Sequence, residues 1–248
     1  MSSLFCNGSL LNDVEFVKEK YPNYDVLGAF LYGSQNYNLD TENSDVDSIV
    51  VIIPSIKSLL YEKEVSTTYE REDHHIVVKD LKAFNKNLLT LSPMAVEPLF
   101  AQLKWINDKY KYIYQKFYHD NAQKIAMSCP AILYDKVRAM IKSMARKESL
   151  TGKQYVLCKR MIRLLQKLAE GKSYEEAMWF SDDEAVLMID IKRSDKVFSG
   201  TDLTLLECES TNPTLVKYFT ENNMDYREYW REYLAEAAAC MVKIKEFI

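Results

Sequence analysis

The feature that most constrains this chain is a Gly33-Ser34 turn followed, ten residues later, by two aspartates and an apolar run. Asp45 and Asp47 stand just before Ile49–Ile53, a run of five β-branched residues. Residues i and i+2 of a strand point to the same face, so the two carboxylates project together. Proteins usually hold Mg²⁺ with one or two carboxylates and leave its other positions to water and phosphate oxygens. The pattern therefore predicts a divalent metal site at the start of a strand.

Each half of this pattern also has an ordinary explanation. Carboxylates at strand ends are commonly solvated or capping, and Gly-Ser is a frequent turn. A Gly-Ser turn can, however, offer a backbone N–H and a hydroxyl to phosphate groups. The two halves together, with apolar strands predicted before and after them, favour a site for phosphate and metal.

Two segments carry a family resemblance: Leu-Tyr-Gly-Ser-Gln-Asn-Tyr-Asn-Leu at 31–39 and Ser-Asp-Val-Asp at 44–47. They resemble the signature of the DNA polymerase β-like nucleotidyltransferase superfamily, most closely the small predicted nucleotidyltransferases of bacteria and their phages. In that superfamily the serine contacts the nucleoside triphosphate and the two aspartates bind the catalytic metals. The resemblance assigns these roles to Ser34, Asp45 and Asp47, with Gly33 in the same nucleotide-binding turn. It is most specific over residues 26–53 and looser to about Phe100 and into the helical half.

The resemblance also implies a third carboxylate on a later strand. The strand predicted over His74–Asp80 has only apolar residues at its centre, which leaves Asp80 at its exit and Asp73 at its entrance. We expect Asp80 to be the third catalytic and metal-binding residue, because a strand-to-helix junction lets a side chain reach a cleft. An aspartate directly before Leu81 is equally well suited to cap the following helix. His74 and His75 are adjacent on a strand, so they face opposite ways and cannot both bind one metal.

The predicted fold class is α+β: an α/β domain of the nucleotidyltransferase type over 1–105, followed by a mostly helical domain over 106–248. Alternating and apolar runs predict strands at Val26–Tyr32, Val46–Ile53 and His74–Asp80, with a polar linker over Glu62–Asp73. Apolar residues at helical spacing predict an N-terminal helix over Leu10–Tyr21 and a helix after Leu81. Further helices are expected near 95–103, 110–117, 132–146, 154–169, 174–180, 182–192, 201–222 and 226–247, with no convincing strand after about residue 105.

Positive charge is concentrated in one segment. Residues 136–172 contain eleven Lys or Arg against two Glu, within a chain of net charge −4. Two sets recur every four positions and so form stripes on helix faces: Arg138, Lys142 and Arg146, and Lys159, Arg163 and Lys167. Such stripes suit a polyanion, and we expect Lys159 and Arg163 to bind the triphosphate. A solvated helix face is the alternative.

The remaining composition excludes several classes of protein. The longest apolar runs are far shorter than the roughly 20 residues that span a bilayer. The first residues lack the basic and apolar regions of a secretion signal. Five widely spaced cysteines, without a Cys-x-x-Cys pair, are typical of reduced cytosolic thiols and predict no structural zinc site.

These observations predict a cytoplasmic enzyme, dependent on Mg²⁺ or Mn²⁺, that moves a nucleoside monophosphate from an NTP to a hydroxyl and releases pyrophosphate. RNA or tRNA is the leading acceptor, and a protein side chain is second. The alternative is a catalytically weakened protein that binds nucleotide or nucleic acid as a regulator or an antitoxin-like partner.

Overall fold

The structure is a computed structural model that describes residues 3–41, 44–61, 63–71 and 74–247, and it has the predicted mixed α+β fold. The strands are β1 Asp25–Tyr32, β2 Val46–Ile53, β3 Ser66–Arg71, β4 His74–Asp80, β5 Lys104–Ile106, β6 Ser149–Leu150 and β7 Phe198–Ser199. The helices are α1 Ser3–Lys20, α2 Ile56–Tyr61, α3 Leu81–Leu88, α4 Pro93–Val96, α5 Lys111–Phe117, α6 Ala122–Ala126, α7 Pro130–Ala145, α8 Gly152–Ala169, α9 Tyr174–Met178, α10 Asp182–Arg193, α11 Thr201–Ser210, α12 Pro213–Glu221 and α13 Arg227–Phe247. Short 3₁₀ helices occupy Gly33–Tyr37, Glu97–Phe100, Asp108–Tyr110 and His119–Asn121.

The five strands of the N-terminal half form one mixed sheet with the order β3-β4-β2-β1-β5. The central strand, β2, is antiparallel to β1 and parallel to β4. The end of β1 therefore lies beside the beginnings of β2 and β4, at one end of the strands. Tyr32 at the end of β1 pairs with Asp47, and Asp47 in turn pairs with His75 of β4. The turn and the aspartates of the motif come together at this end of the strands.

Strand alternation divides the core into two clusters, one on each face of the sheet. On one face, Val26, Ala29, Val50 and Ile52 pack against α1. On the other face, residues such as Phe30 belong to a larger cluster that continues through the helices of the C-terminal half. One core therefore joins the two predicted domains, and the predicted boundary at residue 105 falls within β5.

Three predictions about strands are wrong. The sequence patterns predict no strand at Lys104–Ile106, where β5 pairs with β1. The expected linker before β4 contains β3, which pairs with β4 over six residues. It lies at the edge of the sheet and is mostly exposed, so its sequence lacks the alternation of apolar and polar residues that identifies a half-buried strand. The helical half also contains the two-residue strands β6 and β7, which pair with each other and are too short to leave a periodic pattern.

Most helices follow the predicted segments, with three corrections. The sequence patterns did not predict α2 and α6, and the segment expected to be helical over 95–103 is helical only to Phe100, as α4 and a 3₁₀ helix. The helix expected over residues 201–222 is two helices, α11 and α12, because Pro213 begins the second after a cap by Asn212. Proline lacks the N–H that a helix interior needs and is well suited to a first turn. In the described part of the chain, no helix is both long enough and apolar enough to cross a membrane.

Candidate functional site

The turn after β1 is shaped around Asp47. Gly33 has a φ of 80°, in the left-handed region that favours glycine. A Cβ at Gly33 would lie 2.7 Å from Asp47 Oδ2, a separation that real Cβ atoms do not show. Glycine is thus needed here both for its backbone conformation and for the close approach of the carboxylate.

The structure brings Ser34, Asp45 and Asp47 together, as the motif predicts. All three line one cleft of about 490 Å³ between the sheet edge and the helical half. Asp47 is the more buried of the two carboxylates, with 27% of its side chain exposed against 43% for Asp45. Burial raises the pKa of the Asp47 carboxyl, while the hydrogen bond with His75 opposes that shift. Gln35 donates to the Asp45 carbonyl at 2.8 Å and ties the turn to the approach of β2.

The opposite wall of the cleft comes from α8 and the end of α10. These helices meet closely at Gly152, where a Cβ would lie only 2.2 Å from the carbonyl oxygen of Ile191. The close approach places the last residues of α10 beside the first turn of α8. Four cationic residues consequently line the cleft with the carboxylates: Lys153, Arg160, Lys192 and Arg193.

The cations of the cleft are held in different ways. Lys153 Nζ lies 3.6 Å from Asp45 Oδ2. Lys192 donates to the Leu39 carbonyl at 3.0 Å and to Ser44 Oγ at 3.2 Å, and burial lowers its pKa. Such a lysine still carries its charge into the cleft, but at a cost in desolvation that an anionic ligand would relieve.

Among the cations of the cleft, Arg160 packs against the turn itself. Its guanidinium carbon lies 3.7 Å from the centre of the Tyr37 ring, as in a cation–π contact. Its Nε is buried and has no hydrogen-bond partner among the described residues. Buried polar groups normally have partners, so Arg160 is the side chain of the cleft with the clearest unmet capacity to bind an anion.

The fully buried carboxylate of Glu97 holds the turn in place by accepting hydrogen bonds from it. Glu97 Oε1 accepts from the Gly33 N–H at 2.7 Å and from Asn36 Nδ2 at 3.3 Å. Its Oε2 accepts from the Tyr37 hydroxyl at 3.2 Å. Burial raises the pKa of Glu97, whereas the charge of Arg160 lowers it. Sequence patterns did not single out Glu97, because its role depends on a contact across more than 60 residues.

Asp80, the predicted third catalytic and metal-binding residue, lies away from this site, so its predicted role is not supported by its position. Its Oδ1 accepts from the Ala83 N–H and its Oδ2 from the Val65 N–H, both at 2.7 Å. In the parallel pair of β2 and β4, Asp80 aligns with Ile52, five residues beyond Asp47. At about 3.3 Å per residue that is roughly 16 Å from the cleft edge. Asp80 is a helix cap that also fastens the start of β3, and Asp73 lies outside the described residues.

Lys159 and Arg163 also lie away from the cleft, so their predicted contact with the triphosphate is not supported. Lys159 Nζ lies 2.6 Å from Glu209 Oε2. Arg163 donates to both oxygens of Glu184, at 3.1 and 2.7 Å, and to the Ala177 carbonyl. Both cations are thus neutralised by structural ion pairs. The face of α8 that reaches the cleft instead carries Lys153 and Arg160, seven positions apart and therefore on one side of the helix.

His75 is a further residue that the sequence interpretation left without a role. Its Nδ1 lies 3.2 Å from Asp47 Oδ1, and 40% of its side chain is exposed. His74 faces the other way, as predicted, with Nδ1 3.3 Å from Ser9 Oγ and 3.4 Å from the buried Asp13 carboxylate. Adjacent histidines of β4 thus serve opposite faces of the sheet.

The residues of the cleft fit a magnesium ion bound together with phosphate. Within the described residues, no group of three or more Asp, Glu, His or Cys side chains is arranged to hold a metal ion. Two carboxylates, Asp45 and Asp47, nevertheless match the number that proteins commonly give Mg²⁺, which keeps its remaining positions for water and substrate oxygens. A bound cation would favour the charged form of Asp47, against the burial that raises its pKa.

A larger cavity of about 980 Å³ lies among α3, α7 and α13 and contains none of the predicted site residues. Its surface is mainly apolar. Four cations at its rim already have carboxylate partners: Lys82, Lys86, Arg227 and Arg231. The smaller cleft is therefore the better candidate for phosphate chemistry, because it holds the glycine turn, the carboxylates and Arg160.

Comparison of the chain with protein-family models gives no match, and comparison with curated proteins gives none either.

Proposed function

We propose that this protein is a metal-dependent nucleotidyltransferase, which transfers a nucleoside monophosphate from an NTP to an acceptor hydroxyl. The observation that carries the proposal is the composition of the cleft: two partly exposed carboxylates, Asp45 and Asp47, beside a Gly-Ser turn, faced by four cations. A triphosphate carries several negative charges, so it needs cations on one side and a carboxylate-bound metal on the other. The likeness of residues 26–53 to the polymerase β-like signature points to the same chemistry.

Each residue of the cleft has a distinct task in this proposal. Asp45 and Asp47 would hold Mg²⁺ or Mn²⁺ on one side of the α-phosphate. Ser34 would donate to the triphosphate, while Arg160 and Lys192 would bind its terminal phosphates from the helical wall. When bound, the metal would supply Lewis-acid stabilisation of the charge that develops at the transferring phosphate.

The transfer itself is an in-line displacement. The acceptor oxygen forms a bond to the α-phosphorus, and the bond from that phosphorus to the β-phosphate bridging oxygen breaks. The pyrophosphate leaves with the electron pair, and the acceptor proton passes to solvent. The cations of the cleft stabilise the leaving pyrophosphate, and the rigid strand β2 keeps the carboxylates aligned with it.

RNA or tRNA is the proposed acceptor, with a protein side chain second. Arg138, Lys142 and Arg146 are exposed along α7 and are available for a nucleic-acid backbone. The cytosol is the proposed compartment, because the four described cysteines are all free thiols.

The test is pyrophosphate release and transfer of label from α-³²P-NTPs, with Mg²⁺ or Mn²⁺, across total tRNA, single-stranded RNA and protein acceptors. We expect metal-dependent transfer that Asp47→Asn abolishes. Asp80→Asn is the matched control, since the same substitution on the neighbouring strand leaves the cleft intact. Failure of every NTP to bind in the presence of Mn²⁺, measured by calorimetry, would refute the proposal.

A second candidate function is favoured by the position of Asp80. Since Asp80 lies at the far end of β4, the described part of the cleft offers two partly exposed carboxylates, Asp45 and Asp47, where the resemblance implies three. Glu97, which also lines the cleft, is fully buried and accepts hydrogen bonds from the turn. A protein of this kind would bind NTP with metal and act as a regulator without turnover. Tight NTP binding, combined with no transfer to any acceptor, would select this candidate.

A further inference from the structure

His75 contacts Asp47, a carboxylate that would hold the cation in the proposed function. In the parallel pair, Asp47 and His75 are direct neighbours on β2 and β4. Their side chains point to the same face, with His75 Nδ1 3.2 Å from Asp47 Oδ1. Neighbouring ligands of one octahedral cation, with bonds of about 2.1 Å, lie about 3 Å apart. The contact therefore has the spacing of two ligands on a single ion.

The surroundings of His75 leave its ring free for this role. The imidazole is 40% exposed, so it is not a core residue held by packing. The Oδ2 oxygen of Asp47 faces Gly33, and the Oδ1 oxygen contacts His75. Imidazole nitrogen is a ligand that first-row transition metals accept readily, whereas Mg²⁺ prefers oxygen.

We propose that His75 Nδ1 and Asp47 Oδ1 are adjacent ligands of the catalytic cation, and that the site therefore prefers a first-row transition cation such as Mn²⁺ over Mg²⁺. Water and triphosphate oxygens complete the coordination. The inference rests on the proposed function for the location of the metal. It adds the identity of a ligand and the class of cation.

A competing arrangement would give His75 a supporting role only. A ring N–H that donates to Asp47 would orient the carboxylate without touching the metal, as outer partners of metal ligands often do. Nitrogen coordination distinguishes the two arrangements, because only a direct ligand transfers unpaired electron density from Mn²⁺ to nitrogen.

The experiment is pulsed EPR of the tag-free, Mn²⁺-loaded protein, with and without a non-hydrolysable NTP analogue. The chain has three histidines, so a nitrogen signal can be assigned by substitution. We expect a ¹⁴N coupling that changes to the ¹⁵N pattern in histidine-labelled protein. It should disappear in His75→Gln and persist in His74→Gln and His119→Gln, with melting temperatures recorded for every variant.

Competition between the two cations gives a second measurement. We expect His75→Gln to weaken Mn²⁺ binding on the order of tenfold, and His75→Asp to shift the preference towards Mg²⁺. Mn²⁺ that binds in an Asp47-dependent manner but shows no nitrogen coupling would overturn the role of His75 and leave the proposed function standing. Absence of Mn²⁺ binding would overturn this inference, and calorimetry with the NTP analogue and Mg²⁺ would show separately whether the nucleotide site exists.

Discussion

Two neighbouring arginines of α8, Arg160 and Arg163, carry the same charge and have different partners. Arg160 stacks over Tyr37 and lines the cleft, with an Nε that has no partner among the described residues. Arg163, less than one turn further along, is fully engaged by Glu184 and the Ala177 carbonyl. The same division separates Asp47, which faces the cleft, from Asp80, which caps a helix at the opposite end of the parallel strands. Residue type thus identifies candidates, but orientation towards the cleft decides which of them can act.

The largest expected effect is on the free energy of unfolding, in which substitutions of Asp80 and Asp47 should differ. Asp80→Ala leaves the N–H groups of Val65 and Ala83 without their acceptor, which should lower the free energy of unfolding by about 3 kcal/mol. Asp80→Asn should cost less, since its single amide oxygen can still accept from one of them. Urea unfolding of both variants measures the effect.

Asp47→Asn is the counterpart on the cleft side. Burial raises the pKa of Asp47, so removing its charge should leave stability unchanged or slightly higher. Nucleotide and metal binding should nevertheless be lost. Equal destabilisation by Asp47→Asn and Asp80→Asn would contradict the separation of a functional from a structural aspartate.

The next largest effect is on nucleotide affinity, in which substitutions of Arg160 and Arg163 should differ. Arg160→Gln should weaken binding of an NTP in Mg²⁺ by roughly 10- to 100-fold, because charge-assisted hydrogen bonds to phosphate contribute about 1.5–3 kcal/mol each. Arg163→Gln is the matched control and should leave affinity unchanged. Equilibrium titration with a fluorescent NTP analogue measures both variants.

Stability must be recorded beside affinity, because Arg160 also provides the charge that lowers the pKa of the buried Glu97. Arg160→Lys keeps that charge without the planar guanidinium, so it should restore part of the stability and less of the affinity. If Arg163→Gln weakened nucleotide binding as much as Arg160→Gln, the assignment of Arg160 to the cleft and of Arg163 to a structural ion pair would be wrong.

The smallest expected effect is the pH dependence of stability that arises from the ion pair between Arg163 and Glu184. The hydrogen bonds from Arg163 lower the pKa of Glu184 to about 2 from its ordinary value of 4.5. A lowered pKa means that the pair stabilises the fold above pH 4.5 and loses this contribution as the pH falls towards 2. Because Glu184 is 42% exposed, the contribution should stay below about 1 kcal/mol.

Comparison of wild type with Glu184→Gln by urea unfolding tests this contribution. The difference in unfolding free energy should be greatest near neutral pH and should narrow from about pH 5 to pH 3. Glu170→Gln, which removes an exposed pair with Lys167, is the control and should show a smaller difference. A gap that widened in acid would contradict the direction given for the Glu184 pKa.

Local sequence determined the central part of the site. The turn at Gly33-Ser34, the carboxylates Asp45 and Asp47 and the strand that follows them lie within about twenty consecutive residues. Their geometry depends on strand alternation and on one glycine conformation, both of which short-range sterics impose. The helices with a strong apolar stripe, such as α8, were predictable for the same reason.

The tertiary structure alone decided which distant residues join that turn. Asp80 is excluded because β4 runs parallel to β2, and strand direction is a property of the assembled sheet. Arg160 and Lys192 face the cleft because α8 and α10 dock closely at Gly152, which fixes the rotation of each helix about its own axis. Glu97 and His75 reach the turn through packing and strand register, respectively. Such placements depend on contacts between residues far apart in the chain, so the periodicity of a single segment cannot specify them.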